Sequence, residues 1–386
     1  MSTTSSTPHS ANAGFTKSAF ERMRQRLFPA AGRVVRGRLG IDIGTNTLKM
    51  AQAERRRDGW QIVNRIVLPL PESAGEFDGD IRGDVNSDNI GGGRFDVVRR
   101  QLQRLGERPL ATSPECVCVL PRDVTDFSTL ELPDGDAAEL SQMAQEALKD
   151  VYVDDFDQRT IQCWRNSVIV QGMAEVLTVS VPTATAEDLI GSLAGGRLDC
   201  RCLDPLPIAL ARAAAMTRIG HAVAPAALLD WGHSGITFVV SQYGRPAFVR
   251  TLRGRGSSQF LTSVCEAMNL SVSDARNLVA AVVLPGENNG GGQISTVLRS
   301  LLAPELQHLA GELKRTLLYL RHHRPKLVPS HLTLFGGMAA VPNIAGKVRP
   351  VFTLPTNVWS LGAENSNSAD PMFAAAIGAS AERLVC

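Results

Sequence analysis

The sequence predicts a duplicated α/β protein whose two lobes face each other across a cleft. Residues 39–68 and 228–252 repeat one unit: apolar strand, Asp-x-Gly turn, polar strand, Gly-containing turn, strand. Elsewhere, short apolar runs alternate with stretches of helical periodicity, the pattern of sheets covered by helices. A chain of 386 residues has room for two or three domains, and two copies of one unit imply two facing halves.

The elements follow in order. Alternation through Leu39, Ile41 and Ile43, then Leu48 and Met50, then Trp60 to Leu68, predicts three antiparallel strands. Turn signals at Gly44-Thr45-Asn46 and Asp58-Gly59 separate them. Residues 72–94 hold six Gly and four Asp without periodicity and predict a mobile loop. The spacing predicts a helix over 95–105, a strand over 116–121 and a helix over 136–150. A strand over 174–182, a short helix over 186–193, a strand over 198–206 and a further helix come next. After the second copy of the unit, helices are expected at about 257–270, 273–283 and 294–322, with a second Gly/Asn loop at 286–292. The end reads as strand (331–337), helix (341–348), loop and helix (371–384).

Apolar residues make up 44% and charged residues 20%, a balance that excludes collagen-like, mucin-like and wholly disordered classes. No apolar run approaches the roughly 18 residues of a membrane span. Seven cysteines in so long a chain point to a reducing compartment. With no apolar export signal at the N-terminus, a cytoplasmic location is expected. Cys116/Cys118 and Cys200/Cys202 form two Cys-x-Cys pairs on expected strands, and alternation puts both sulfurs of each pair on one face. Zinc sites use a wider spacing, so these cysteines read as small buried apolar residues.

Charge is unevenly placed. Residues 1–38 carry Lys17, Arg22, Arg24, Arg26, Arg33, Arg36 and Arg38 against Glu21 alone, a net +6 that leaves −4 for the remainder. The first dozen residues read as a disordered tail, and Phe20, Met23 and Leu27 recur at helical spacing among the arginines. Residues 15–38 therefore fit a basic amphipathic helix on an anionic membrane surface, a solvated linker or an organellar transit peptide. Nothing supports a nucleic-acid arm, since no aromatic or Gly-Arg interleaving is present.

Three motifs carry chemistry. Asp42-Ile-Gly44-Thr45-Asn46-Thr47 closes the first hairpin, where Gly44 would let backbone N–H groups form an anion nest. Thr45 and Thr47 add hydroxyls, and Lys49 adds a positive charge. Asp42 is a candidate carboxylate for hydrated Mg²⁺, as is its counterpart Asp230. Asp230-Trp-Gly232-His-Ser234-Gly235-Ile-Thr237 is the second such turn, and the two would clamp a polyphosphate. Gly336, Gly337 and Met338 follow a strand, and a double glycine there permits close approach to a purine. A tight hairpin or a close helix–strand contact would explain each motif singly; the ordered trio is the stronger signal.

The trio resembles the phosphate-1, phosphate-2 and adenosine motifs of the actin/Hsp70/sugar-kinase ATPase superfamily. Within it the chain resembles the PilM family of type IV pilus assembly proteins, relatives of FtsA. The similarity lies in GIDIGTNTLK (40–49), LELPDGDAAEL (130–140), LDPLPIALARA (203–213), NLSVSDARNL (269–278) and ELKRTLLYL (312–320). It covers 39–386 and implies an actin-like, ribonuclease H-like ATPase fold. Residues 39–120 and 204–225 would form the first lobe, 121–203 an inserted 1C-type α+β domain, and 226–386 the second lobe. The C-terminal helix would return toward the first lobe. ATP and Mg²⁺ would be the ligands, with Lys314 and Arg315 reaching the adenine side.

The resemblance also implies a scaffold at the inner face of the inner membrane. It would dock the N-terminal cytoplasmic peptide of a bitopic, PilN-like pilus protein, with self-association open to it. Departures from the pattern bear on turnover. Ala275-Arg276-Asn277-Leu278-Val279 stands where the family carries Ala-Glu-x-x-Lys, His233 replaces a second-turn acid, and no Glu or Gln follows Asp204 to orient water. Binding without hydrolysis is therefore expected. The alternatives are a degenerate actin-fold platform that binds no nucleotide, and a phosphotransferase or exopolyphosphatase of the same superfamily. Gly44-Thr45-Asn46 resembles the exopolyphosphatase opening, but the second turn does not match that group.

Overall fold

The computed structural model describes residues 34–57, 59–70, 92–105, 113–170, 172–217, 224–254, 256–282, 284, 292–361 and 370–385. The first lobe opens with β1 (Val35–Arg36), β2 (Leu39–Ile43), β3 (Thr47–Arg56), β4 (Gly59–Pro69), α1 (Gly92–Arg104) and β5 (Glu115–Leu120). An insertion follows, made of β6 (Asp126–Pro133), α2 (Ala137–Lys149), β7 (Arg159–Val170) and β8 (Met173–Pro182). Then α3 (Thr183–Gly195), β9 (Asp199–Pro205) and α4 (Leu206–Met216) complete the lobe. The second lobe holds β10 (Ala226–Trp231), β11 (Gly235–Gln242), β12 (Arg245–Arg253), α5 (Ser257–Met268), α6 (Val272–Ala281) and α7 (Gln293–His323). It ends with β13 (Leu332–Phe335), α8 (Ile344–Val348), β14 (Thr356–Val358) and α9 (Ala374–Ser380).

The duplication extends to topology. In the first lobe, β4, β3 and β2 are antiparallel neighbours, and β2 continues in parallel with β5 and then β9. In the second, β12, β11 and β10 are antiparallel, and β10 continues in parallel with β13 and then β14. Both sheets thus run in one order, three antiparallel strands followed by two parallel ones. The central strands β2 and β10 are buried, so their C-terminal turns open at the same edge as the ends of the parallel strands, where such sheets bind ligands.

The layer between the sheets is built of small residues. Ala209, Ala213 and Ala214 of α4 pack with Ala375, Ala376 and Ala379 of α9, and with Leu228, Phe335 and Trp359 of the second lobe. A Cβ on Gly40 would lie 1.8 Å from Ala376 O, and one on Gly378 would lie 1.9 Å from Ala209 O. Glycine is required at both positions because the backbones themselves are in contact. Asp204, at the end of β9, binds Arg212 of α4 at 2.7 Å, and Arg212 also donates to Gly378 O at 3.0 Å. Burial pushes the Asp204 carboxyl above its ordinary range. The Asp204 and Arg212 positions of the 203–213 motif thereby have a structural role in tying β9, α4 and α9 together.

Several sequence expectations are corrected. The sheet begins at Val35, inside the stretch read as a tail, because Val35 and Arg36 pair with Arg55 and Glu54. Arg36 binds Glu54 and stays half-exposed, whereas Arg38 is largely buried between Glu115 and Glu382 and is engaged within the protein. The rest of the proposed amphipathic segment, to residue 33, lies outside the described residues. So do 71–91 and 285–291, most of the two glycine-rich loops, although Gly92, Gly93 and Arg94 already belong to α1.

The insertion is the antiparallel sheet β6-β8-β7 with α2, which carries an Asp136/Glu139 capping box. Its strand β7 was not legible, because polar Gln162, Arg165 and Asn166 interrupt the apolar alternation. The first lobe resumes at Thr183 rather than 204, since α3 buries Ala186, Leu189 and Leu193 in the first-lobe core. Asn166 donates to Ala247 O at 2.8 Å and Arg324 pairs with Glu175, which docks the insertion on the second lobe. The two Cys-x-Cys strands are neighbours, but the register shifts after Cys116↔Cys200. Cys200 joins the core containing Cys116 and Cys118, whereas Cys202 packs on the opposite face.

Gly40→Val should destabilise the protein by about 3 kcal/mol or more, through overpacking against α9. Urea unfolding would measure this, and an unchanged midpoint would contradict the contact.

Candidate functional site

Both Asp-x-Gly turns open into the cleft between the lobes. Gly44 N–H donates to Thr47 O at 2.8 Å, and Gly232 N–H donates to Gly235 O at 3.1 Å. The tips meet: Thr45 Oγ1 and Ser234 Oγ share a hydrogen bond of 2.7 Å across the lobes. The third glycine motif closes from the end of β13. Gly336 has φ +89°, and a Cβ there would lie 2.6 Å from Trp231 O and 2.7 Å from Asp230 Oδ1. Only glycine combines that backbone conformation with so close an approach.

The cavity enclosed is about 400 Å³. Asp42, Gly44, Thr45, Asn46, Thr47 and Lys49 line it from the first turn, and Asp230, Gly232 and Ser234 from the second. Gly336, Gly337 and Met338 line it from the third motif. Twelve of the sequence-derived site residues therefore share one cavity.

Two arginines that sequence reasoning missed dominate its charge. Arg122 lies just after β5 and reaches across the cleft into the second turn. Its Nε donates to Thr237 Oγ1 at 2.7 Å, its Nη1 to Gly235 O, and its Nη2 pairs with Asp230. Gly235 and Thr237 thus hold Arg122 and are absent from the cavity lining. A Cβ on Gly232 would approach Arg122 Nη1 to 3.0 Å, so the second glycine turn makes room for a guanidinium. Arg94, in the first turn of α1, donates to Ile43 O and Gly44 O at 3.0 and 3.1 Å and pairs with Asp123 at 2.6 Å. The Nε of the same guanidinium is buried with no partner.

Both candidate metal carboxylates already have cations. Lys49 Nζ lies 2.7 Å from Asp42, and Arg122 engages Asp230. Burial pushes the Asp230 carboxyl above its ordinary range, against the opposing pull of Arg122. Among the described residues, no three histidine, cysteine or carboxylate groups converge to hold a metal ion. Mg²⁺ retains several waters and takes one or two carboxylates plus phosphate oxygens. The donor set here, with both acids in ion pairs, does not fit it. The Gly44 and Gly232 N–H groups close their own turns, and Lys49, Arg94, Arg122 and Arg276 bring side-chain positive charge to the lining.

Lys314 and Arg315 are not at the site. Lys314 lines a separate cavity with Phe238, Leu317 and Phe352, and Arg315 pairs with Glu312 on the exposed side of α7. The α6 departures lie where the family comparison expected contacts, since Arg276 and Val279 both line the cleft, as does His233.

Arg122→Ala should cost about 3–5 kcal/mol of stability by leaving Asp230 buried without its partner. Asp230→Asn added to that variant should recover a large part of the loss. Denaturant unfolding of both variants measures the coupling, and additive losses would contradict the ion pair.

Neither a protein-family model nor a curated protein sequence matches the chain. Solved structures do. The chain is similar to the PilM of a PilM–PilN type IV pilus biogenesis complex, with TM-score 0.70 and 16% identity, over 89% of this chain and 97% of that one. It is also similar to MreB 5 of Spiroplasma citri, solved bound to AMPPNP, with TM-score 0.50 and 12% identity, over 90% and 96% of the two chains. The duplicated sheets, the cleft and these likenesses together identify the fold: the chain has the actin-like ATPase fold, in an arrangement like that of PilM.

Proposed function

We propose that this protein is a nucleotide-binding assembly platform of a type IV pilus or related secretion machine. The observation that carries the reading is the likeness to PilM over nearly the whole length of both chains. It is supported by the convergence of all three glycine motifs on one cavity of a size suited to a nucleotide. Gly336, Gly337 and Met338 would take the purine side of ATP, and Lys49, Arg94 and Arg122 would face its phosphates. Bound nucleotide would fix the angle between the lobes, because its phosphates would lie where Thr45 and Ser234 meet.

The partner would be the N-terminal cytoplasmic peptide of a bitopic inner-membrane protein, as PilN is the named companion of PilM in the similar structure. No helix among the described residues is long and apolar enough to cross a membrane. Attachment to the inner face of the inner membrane would then come through that partner. With Asp42, Asp123 and Asp230 in ion pairs and Asp204 committed to Arg212, the described carboxylates favour binding over turnover.

Fluorescence anisotropy with a labelled peptide of a PilN-like cytoplasmic segment tests the reading. Micromolar affinity is expected, about −8 kcal/mol, tightened when ATP is present. Failure to bind at millimolar peptide would contradict the platform role.

A further inference from the structure

We propose that the cleft binds the phosphate chain of a nucleotide without a divalent cation, Arg122 and Lys49 standing where a metal would otherwise sit. The inference rests on the nucleotide-binding reading above and specifies how that site handles charge. In a metal-dependent clamp, free carboxylates hold the ion and the ion neutralises the phosphates. Here that neutralising charge is built into the chain. Lys49, Arg94, Arg122 and Arg276 line the cavity against Asp42, Asp123 and Asp230, four cations to three anions. Every one of those carboxylates is already in an ion pair, with Lys49, Arg94 and Arg122 respectively.

Recruiting Mg²⁺ to Asp230 would require displacing Arg122, which is fixed by three separate contacts. The displaced guanidinium would remain in a largely buried position, its side chain 15% exposed. A phosphate chain needs no such exchange. Arginine has five N–H donors in a planar fork suited to phosphate oxygens, and three of those on Arg122 are committed. Arg94 adds a further largely buried cation to the lining. Its side chain is 9% exposed, it lines the cavity, and its Nε is a buried donor with no acceptor.

Isothermal titration of the full-length protein with ATP, in excess MgCl₂ and in EDTA, tests the proposal. The two affinities are expected to agree within about threefold. Arg122→Gln should weaken binding in EDTA by about tenfold or more and make it depend on Mg²⁺, because Asp230 is freed. Asp230→Asn should tighten binding in EDTA, and Lys314→Ala, remote from the cleft, should change nothing. Circular dichroism confirms that each variant is folded. If Arg122→Gln is not, the wild-type comparison and Asp230→Asn decide the matter. Wild-type binding that disappears in EDTA, or Asp230→Asn abolishing binding in Mg²⁺, overturns metal independence and leaves the nucleotide reading intact. No heat in either buffer overturns the nucleotide reading, and metal independence with it.

Discussion

The spacing between the lobes depends on one contact layer, the alanine and glycine faces of α4 and α9 pressed between two sheets. Larger side chains there would hold the sheets apart, and Gly40 and Gly378 leave no space even for a methyl group. With that spacing fixed, the turns after β2 and β10 come within hydrogen-bond reach at Thr45 and Ser234. Arg122 can then span from the end of β5 in one lobe to Asp230 in the other. A close-packed interior transmits such a constraint, because it has little free volume in which to absorb a displacement.

The same geometry explains the charges. Partly buried ion pairs contribute little net stability, since desolvation offsets their attraction, but each is costly to break from one side. Their placement is informative for that reason. Asp204–Arg212 lies behind the cleft and fastens α9 to the first sheet. Asp42–Lys49, Asp123–Arg94 and Asp230–Arg122 line it, and Arg276 beside them makes the lining four cations to three anions. The first pair holds α9 in place, and the other three set the charge of the gap. The inserted domain adds a further brace, through Asn166 and Arg324, between the lobes' outer parts.

Much of this was legible in the sequence. The repeat of strand, Asp-x-Gly turn and strand at 39–68 and 228–252 corresponds to two sheets with the same strand order. The glycine motifs were readable because a turn or a close backbone approach leaves a local signature. Arg94 and Arg122 were not, because their partners lie tens to more than a hundred residues away and neither belongs to a motif. Lys314 and Arg315 misled for a geometric reason. On α7 the core takes Leu313, Thr316, Leu317 and Leu320, and the helical phase carries Lys314 and Arg315 away from the cleft. The bulge after Cys200 inverted the expected face of Cys202, a one-residue effect that alternation cannot anticipate.

The central claim is that two facing turns and their arginines form one phosphate clamp. Hydrogen–deuterium exchange with and without ATP tests it most directly, read on peptides covering 42–49, 118–124 and 230–237. The account predicts that ATP slows exchange in all three segments together, and does so in EDTA as well as in Mg²⁺. Protection confined to one turn, or absent from the segment carrying Arg122, would contradict it.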